Sequence, residues 1–266
     1  MVKTTETTFK GSDGTQVELY VATPDSGRAP AVIVTHEIWG LEDQIRGVAK
    51  RFAEKGFAAF APNLYTRHKS VLTPKNIENA MYKFFSLTPE ERQNRAKVEE
   101  VMKQLDETGR KVVEIVFNGR QQLERQMVDD LRALVSHVRA QPFVDPSHVG
   151  ATGFCMGGGL TFQLVTEEKL QAAVIFYGSN PKPIENVRNI ECPVMGLYAG
   201  EDMGINAGLP ELVDAMVKSK KQFEMKIYKG CVHAFFNETR PTYNKEAAED
   251  AWDRTVKFFS RYLGVA

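Results

Sequence analysis

Val149-Gly150-Ala151-Thr152-Gly153-Phe154-Cys155-Met156-Gly157-Gly158-Gly159 is the stretch on which the reading of the whole chain turns. Val149 to Gly153 reads as a short strand, and the run from Met156 to Glu168 reads as a helix. Between them, Gly153-Phe154-Cys155-Met156-Gly157 has the spacing of the G-x-S-x-G nucleophile elbow, with cysteine in the serine position. A turn this sharp strains its central residue and leaves no room for side chains two positions away, which glycine satisfies. The N-terminus of the following helix places positive partial charge beside the sulfur and favours thiolate. The alternative is a glycine-rich turn that carries a buried structural cysteine, because short motifs also match by chance.

The order of residues downstream separates the two readings. An α/β-hydrolase presents nucleophile, acid and histidine in that order, each on a loop after a strand. Asp202 lies in Ala199-Gly200-Glu201-Asp202, directly after an apolar run ending at Tyr198. His233 lies in Gly230-Cys231-Val232-His233, directly after a strand-like run ending near Tyr228. Glu201 competes for the acid position, and Asp202 is preferred. Of the other histidines, His68, His137 and His148 read as solvent-facing or helix-face residues.

Outward from this frame, buried-strand runs alternate with amphipathic helices, the pattern of a mostly parallel sheet flanked by helices. Expected strands lie at Thr8–Phe9 and Val17–Val21, joined through Ser12-Asp13-Gly14, and at Ala31–Thr35 and Phe57–Ala61. Others are Ala172–Tyr177, Val194–Tyr198 and Glu224–Tyr228. Helices are expected from about Glu42 to Lys55, stopped by Gly56, near Leu209–Lys218 and near Glu246–Leu263. Residues 73–119 are helical in pattern without a strand and read as a cap or lid insertion. Thr88-Pro89-Glu90-Glu91 is expected to start a helix there, and Met127 to Ala140 to be the crossover helix. The expected organisation is therefore one α/β-hydrolase domain over residues 1–266 with an embedded helical cap.

Thr35-His36-Glu37-Ile38-Trp39-Gly40-Leu41 follows the third strand, where this fold supplies one oxyanion-hole N–H. His36-Glu37 does not open an H-E-x-x-H zinc helix, because Gly40 occupies the last position. Cys231 and His233 are two apart and otherwise isolated, so no metal site and no cofactor is expected.

Composition narrows the partners. Lys+Arg and Asp+Glu both number 34, so no overall field recruits nucleic acid or an anionic membrane. Met1 to Lys10 has no apolar segment, and no run approaches the ~20 apolar residues of a membrane span. Three irregularly spaced cysteines make a poor disulfide framework. The expectation is a cytoplasmic protein with free thiols, a monomer or small homo-oligomer whose partner is a small-molecule substrate.

Five segments together resemble the dienelactone hydrolase (carboxymethylenebutenolidase) family over almost the whole chain. They are His36-Glu37-Ile38-Trp39-Gly40-Leu41, Ala61-Pro62-Asn63-Leu64-Tyr65, Gly153-Phe154-Cys155-Met156-Gly157-Gly158, Gly200-Glu201-Asp202 and His233-Ala234-Phe235. The resemblance implies that Cys155 is the nucleophile, His233 its base and Asp202 the residue that orients that base. It implies further that Glu37 contacts the resting thiol and helps switch it to thiolate, with the Ile38 and Met156 amides as the oxyanion hole.

Two departures shape the expected substrate. The resemblance implies arginines that hold a substrate carboxylate, one shortly after the histidine, yet His233-Ala234-Phe235-Phe236-Asn237 contains none before Arg240. Arg92 and Arg95 are the candidates for a second arginine. A neutral, more apolar ester or lactone is therefore expected, with Trp39 and Phe235 contacting it and Asn237 as a neutral hydrogen-bonder. Phe235 and Phe236 can equally be core. Rival functions are a general carboxylesterase or thioesterase, a promiscuous phosphotriesterase, and a non-catalytic small-ligand receptor on the same fold.

Overall fold

The computed structural model describes residues 1–25, 27–88 and 91–264. Eight strands form one sheet in the order β1-β2-β4-β3-β5-β6-β7-β8. They are β1 (Lys3–Lys10), β2 (Gln16–Thr23), β3 (Ala29–Thr35), β4 (Ala58–Pro62), β5 (Val144–Phe154), β6 (Ala172–Phe176), β7 (Val194–Ala199) and β8 (Phe223–Tyr228). β1 pairs antiparallel with β2 and β2 antiparallel with β4, and every later pairing is parallel.

The central strands read as unbroken apolar runs because both faces of the sheet are covered. In β3, Ala31 and Ile33 enter the core on one face, and Val32 and Val34 the core on the other. Helix α1 (Asp43–Glu54) starts after Glu42 and is stopped by Gly56 at φ +91°, a conformation glycine adopts without steric cost. It shares its face of the sheet with the C-terminal helix (Lys245–Leu263): Phe52 of α1 packs 4.7 Å from the Trp252 ring.

The described part of the segment between β4 and β5 holds helices and connecting turns but no strand, with α2 (Pro74–Phe85), α3 (Arg95–Gln104), α4 (Glu107–Val113), a π-helical turn at Glu114–Asn118 and α5 (Arg120–Arg139). Thr73 caps α2 by accepting from the Asn76 amide at 3.2 Å, and Pro74 occupies its first turn. The expected helix start at Thr88 is displaced. Thr88 and Glu91 exchange reciprocal backbone-to-side-chain bonds of 3.0 and 3.2 Å around a short 3-10 turn, but α3 itself begins at Arg95 under an Asn94 cap. Pro89 and Glu90 lie outside the described residues. The crossover helix α5 also starts earlier than its apolar pattern implies, directly after Gly119.

The remaining helices are α6 (Met156–Val165), α7 (Met203–Asn206), α8 (Leu209–Lys218) and α9, the C-terminal helix above. Among the described residues no helix is long and apolar enough to cross a membrane.

Candidate active site

The elbow between β5 and α6 is enforced by contact. A Cβ on Gly153 would lie 2.0 Å from the Gly157 carbonyl oxygen, and one on Gly157 would lie 2.4 Å from the oxygens of both Thr35 and His36. Only hydrogen fits at either place. Cys155, between them, is held at φ +55°, and its amide donates to the Phe176 carbonyl at 3.0 Å. The side chain is half-buried at the N-terminus of α6, whose first residue is Met156.

His233 and Asp202 come together from the ends of β8 and β7. Asp202 uses its two oxygens separately: Oδ2 meets His233 Nδ1, and Oδ1 accepts from the Ile205 amide at 3.4 Å to start α7. Glu201, the competing acid, is exposed. Burial works to depress the His233 pKa. The negative charges of Cys155 and Asp202 overcome it and carry the imidazole well above its ordinary value. The Tyr177 ring lies edge-on 5.0 Å from the imidazole.

Glu37 is buried at 2% exposure, and burial pushes its carboxyl pKa up. Its oxygens are both occupied by neutral donors: Oε1 accepts from the Tyr177 hydroxyl at 3.2 Å and Oε2 from the Asn237 side-chain amide. Asn237 in turn accepts at Oδ1 from the Thr239 amide and hydroxyl at 3.0 and 2.7 Å. The expectation that Asn237 faces substrate is corrected here. At 1% exposure it is a bridge from the histidine loop to Glu37.

The loop after β3 is anchored by two residues that carry no role in the sequence reading. His36 is wholly buried between the Leu64 amide, 3.1 Å from Nε2, and the Glu37 carbonyl, 2.7 Å from Nδ1. Burial drives its pKa down to about 4, so the ring is neutral. Tyr65, also fully buried, donates to the Ile38 carbonyl at 2.9 Å and places its hydroxyl 3.6 Å from Met156 Sδ. One side chain thus touches both residues expected to frame the oxyanion hole. The signal was Ala61-Pro62-Asn63-Leu64-Tyr65, an apolar strand end followed by polar and aromatic residues, but nothing local states what Tyr65 would reach.

Phe235 does not line the site. It is 0% exposed, packed between Tyr177 at 5.5 Å and Tyr228 at 4.9 Å, so its assignment as a substrate-contacting residue is overturned. Phe236 is likewise core, 4.9 Å from Phe176. The reason is the turn after His233: the chain dives into the sheet face covered by α9. Trp39 remains partly open and carries Arg240 over its ring at 4.2 Å. Arg240 also binds Glu42 Oε2 at 2.9 Å and Glu78 Oε1 at 2.8 Å. Arg92 lies over the Phe85 ring, and Arg95 is exposed and pairs with Glu99. Among the described residues no three His, Cys, Asp or Glu side chains converge as a metal site.

Comparison with known proteins agrees with this arrangement. The family model described as "Dienelactone hydrolase family" matches residues 17–263. A Saccharolobus solfataricus protein named "Putative carboxymethylenebutenolidase" is 47% identical over 253 residues, 95% of this chain and 97% of that one. A solved "Putative Dienelactone Hydrolase" from Klebsiella pneumoniae superposes with a TM-score of 0.76 at 25% identity, covering 98% of this chain and all of that one. A dienelactone hydrolase-like promiscuous phosphotriesterase from metagenomic libraries shares the fold, with a TM-score of 0.73 at 21% identity and coverage of 99% of each chain. A strained strand–helix turn within a mostly parallel eight-stranded sheet thus sits in a chain matched along nearly its whole length, and the protein is a hydrolase belonging to the dienelactone hydrolase family.

Proposed function

We propose that the protein hydrolyses neutral, moderately apolar carboxylic esters or lactones through a Cys155 acyl-enzyme. The observation that carries this reading is the geometry: the His233 ring is held at Nδ1 by Asp202, and Cys155 stands on the strained elbow turn. His233 takes the thiol proton, and the sulfur attacks the ester carbonyl to give a tetrahedral oxyanion. The Ile38 and Met156 amides receive that oxyanion. Collapse expels the alcohol, protonated by His233, and leaves a thioester. Water deprotonated by His233 then attacks the thioester, and the Cys155 thiolate departs with the carboxylic acid as product. Thiolate leaves far more readily than an amine, so an amide adduct returns to substrate and peptidase activity is not expected.

Glu37 is a buried carboxyl held by Tyr177 and Asn237, and it favours transfer of the Cys155 thiol proton to His233. Substrate charge follows from Arg240, the cation beside Trp39: Glu42 and Glu78 already compensate it. A substrate carboxylate would have to displace one of them. The relative's name points to a lactone, and a neutral lactone satisfies both considerations. The described part of residues 73–119 serves as a lid, with Tyr82 and Phe85 set against Trp39. The test is a chromogenic ester mixed rapidly with enzyme: a burst stoichiometric with protein, lost in Cys155→Ala, is expected. Stoichiometric binding without a burst would point to a receptor instead.

A further inference from the structure

Helix α2 has two faces with different tasks. Ile77, Ala80, Met81 and Phe84 are buried in the core. Glu78, Tyr82 and Phe85, spaced i, i+4 and i+7, lie along another face. That face meets the loop after β3: Glu78 binds Arg240, and the Tyr82 and Phe85 rings are centred 6.3 and 6.5 Å from Trp39. Trp39 directly follows Ile38, whose carbonyl is pinned by Tyr65, so the ring that Tyr82 and Phe85 flank is next in the chain to a residue expected to frame the oxyanion hole.

Their exposure is not what packing requires. Tyr82 is 55% and Phe85 39% exposed, and among the described aromatic side chains Tyr243 is the other one this open. Yet the rings are braced. Phe85 stands edge-on to Trp39 at 81° and to Phe117 at 79°, and Arg92 covers it at 5.2 Å. Phe117 projects from the π-helical turn and lies tilted at 36°, its ring 4.3 Å from that of buried Phe84. Arg240 holds the other side, under Trp39 and between Glu42 and Glu78. Rings that are open to solvent but immobilised from behind form a preorganised apolar surface.

We propose that Trp39, Tyr82 and Phe85 form an aryl subsite that receives an aromatic ring of the substrate. Arg240 and Glu78 are its positioning residues: they tie the face of α2 to the loop that carries Trp39. The inference rests on the ester-hydrolase reading and names its substrate class. Offset and edge-to-face contacts with three rings favour a planar guest over an alkyl chain. The compensated charge of Arg240 favours a neutral one.

Matched ester pairs test it, because each pair differs only in a remote ring: 2-phenylethyl acetate against ethyl acetate, and methyl 3-phenylpropanoate against methyl propanoate, followed by pH-stat. The phenyl member of at least one pair is expected to have the higher kcat/KM. In Tyr82→Ala/Phe85→Ala that selectivity ratio should fall about tenfold, through KM. Phe85→Leu, which keeps volume but not the ring, should lose part of it. An unchanged ratio, or equal losses on both members, overturns the subsite and leaves the rings a packing role. A second readout is independent of turnover. Cys155→Ala protein titrated with methyl 3-phenylpropanoate should show a saturable change in tryptophan fluorescence from Trp39, weakened by the double substitution, while Trp252 is buried. If no ester is turned over, the hydrolase reading fails and this titration still decides the subsite; absence of a saturable change rejects it.

Discussion

The Leu64 amide donates to Nε2 of His36 at 3.1 Å, which leaves Nδ1 to carry the proton and donate to the Glu37 carbonyl at 2.7 Å. Both ring nitrogens are spent on backbone, and the ring has no exposure. The loop with Glu37, Ile38 and Trp39 is therefore stapled to the end of β4 by a neutral imidazole.

A pH dependence of stability follows from this staple. The folded pKa is about 4, below the ordinary value of about 6.5 for an unfolded histidine. The unfolded chain binds the extra proton between those values, so the contribution is complete above pH ~6.5 and is lost as pH falls through ~4. Its size is on the order of 3 kcal/mol. Urea unfolding of His36→Gln and of the parent from pH 7 to 4 should converge as pH falls; parallel curves would count against a buried neutral ring.

Glu37 and Asn237 form the second test. Glu37→Gln keeps a partner for Tyr177 and for Asn237, so kcat should fall at least about tenfold with the melting temperature nearly unchanged. Asn237→Asp instead sets two carboxyls against each other in a buried place. One of them must stay protonated, with a pKa raised above its unfolded value. Its stability should then be greatest at acidic pH and decline as pH rises, by roughly 3–5 kcal/mol at neutrality. Equal destabilisation at pH 5 and pH 8 would mean that the two side chains are not in contact.

Cys155→Ala should lower kcat/KM for esters by at least about a thousandfold, and iodoacetamide should inactivate in proportion to Cys155 labelling. Cys192 and Cys231 are buried, and burial pushes both thiols above their ordinary pKa, so they should label slowly and without consequence. Asp202→Asn should cost roughly 10²–10⁴ in kcat, because the amide stabilises neither the imidazolium nor its tautomer. Retention of full activity by either variant would displace the triad assignment.

The elbow glycines predict both stability and activity. Gly157→Ala brings a methyl group within 2.4 Å of two backbone oxygens, which cannot retreat without moving β3. A loss of about 1–3 kcal/mol or more is expected in urea titration, together with lowered activity from a displaced Met156 amide. Gly230→Ala, with open space around it but φ +75°, should cost only about 1 kcal/mol. Similar losses at both positions would argue against the close approach.

Substrate charge is measured by kcat/KM for dienelactone against its methyl ester at fixed ionic strength. The ester should be preferred by roughly tenfold to a hundredfold, the worth of one charge-assisted hydrogen bond. Glu78→Gln removes one of the two carboxylates on Arg240 and should narrow the preference, with an effect that fades as salt is added. A parent enzyme that favours the free acid would mean that Arg240 serves substrate rather than Glu42 and Glu78.

The chain order Cys155, Asp202, His233 and the apolar runs of the central strands were legible in the sequence. An elbow, a strand buried on both faces and a loop after a strand each leave a local mark: glycines at fixed offsets, β-branched runs, polar residues at strand ends. What surrounds the triad was not legible. Asn237 reaches Glu37 across 200 positions, Tyr177 reaches it across 140, and Arg240 joins Glu78 across 162. Phe235 reads as a pocket residue beside the histidine, yet the backbone turns it into the core. Such contacts arise only when strands distant in the chain settle in register and bring their ends to one edge of the sheet. Periodicity and turn chemistry act within a few residues, so they determine which elements form and where Cys155 stands. The tertiary packing of β3, β6 and the loop after β8 decides which buried side chains hold it there.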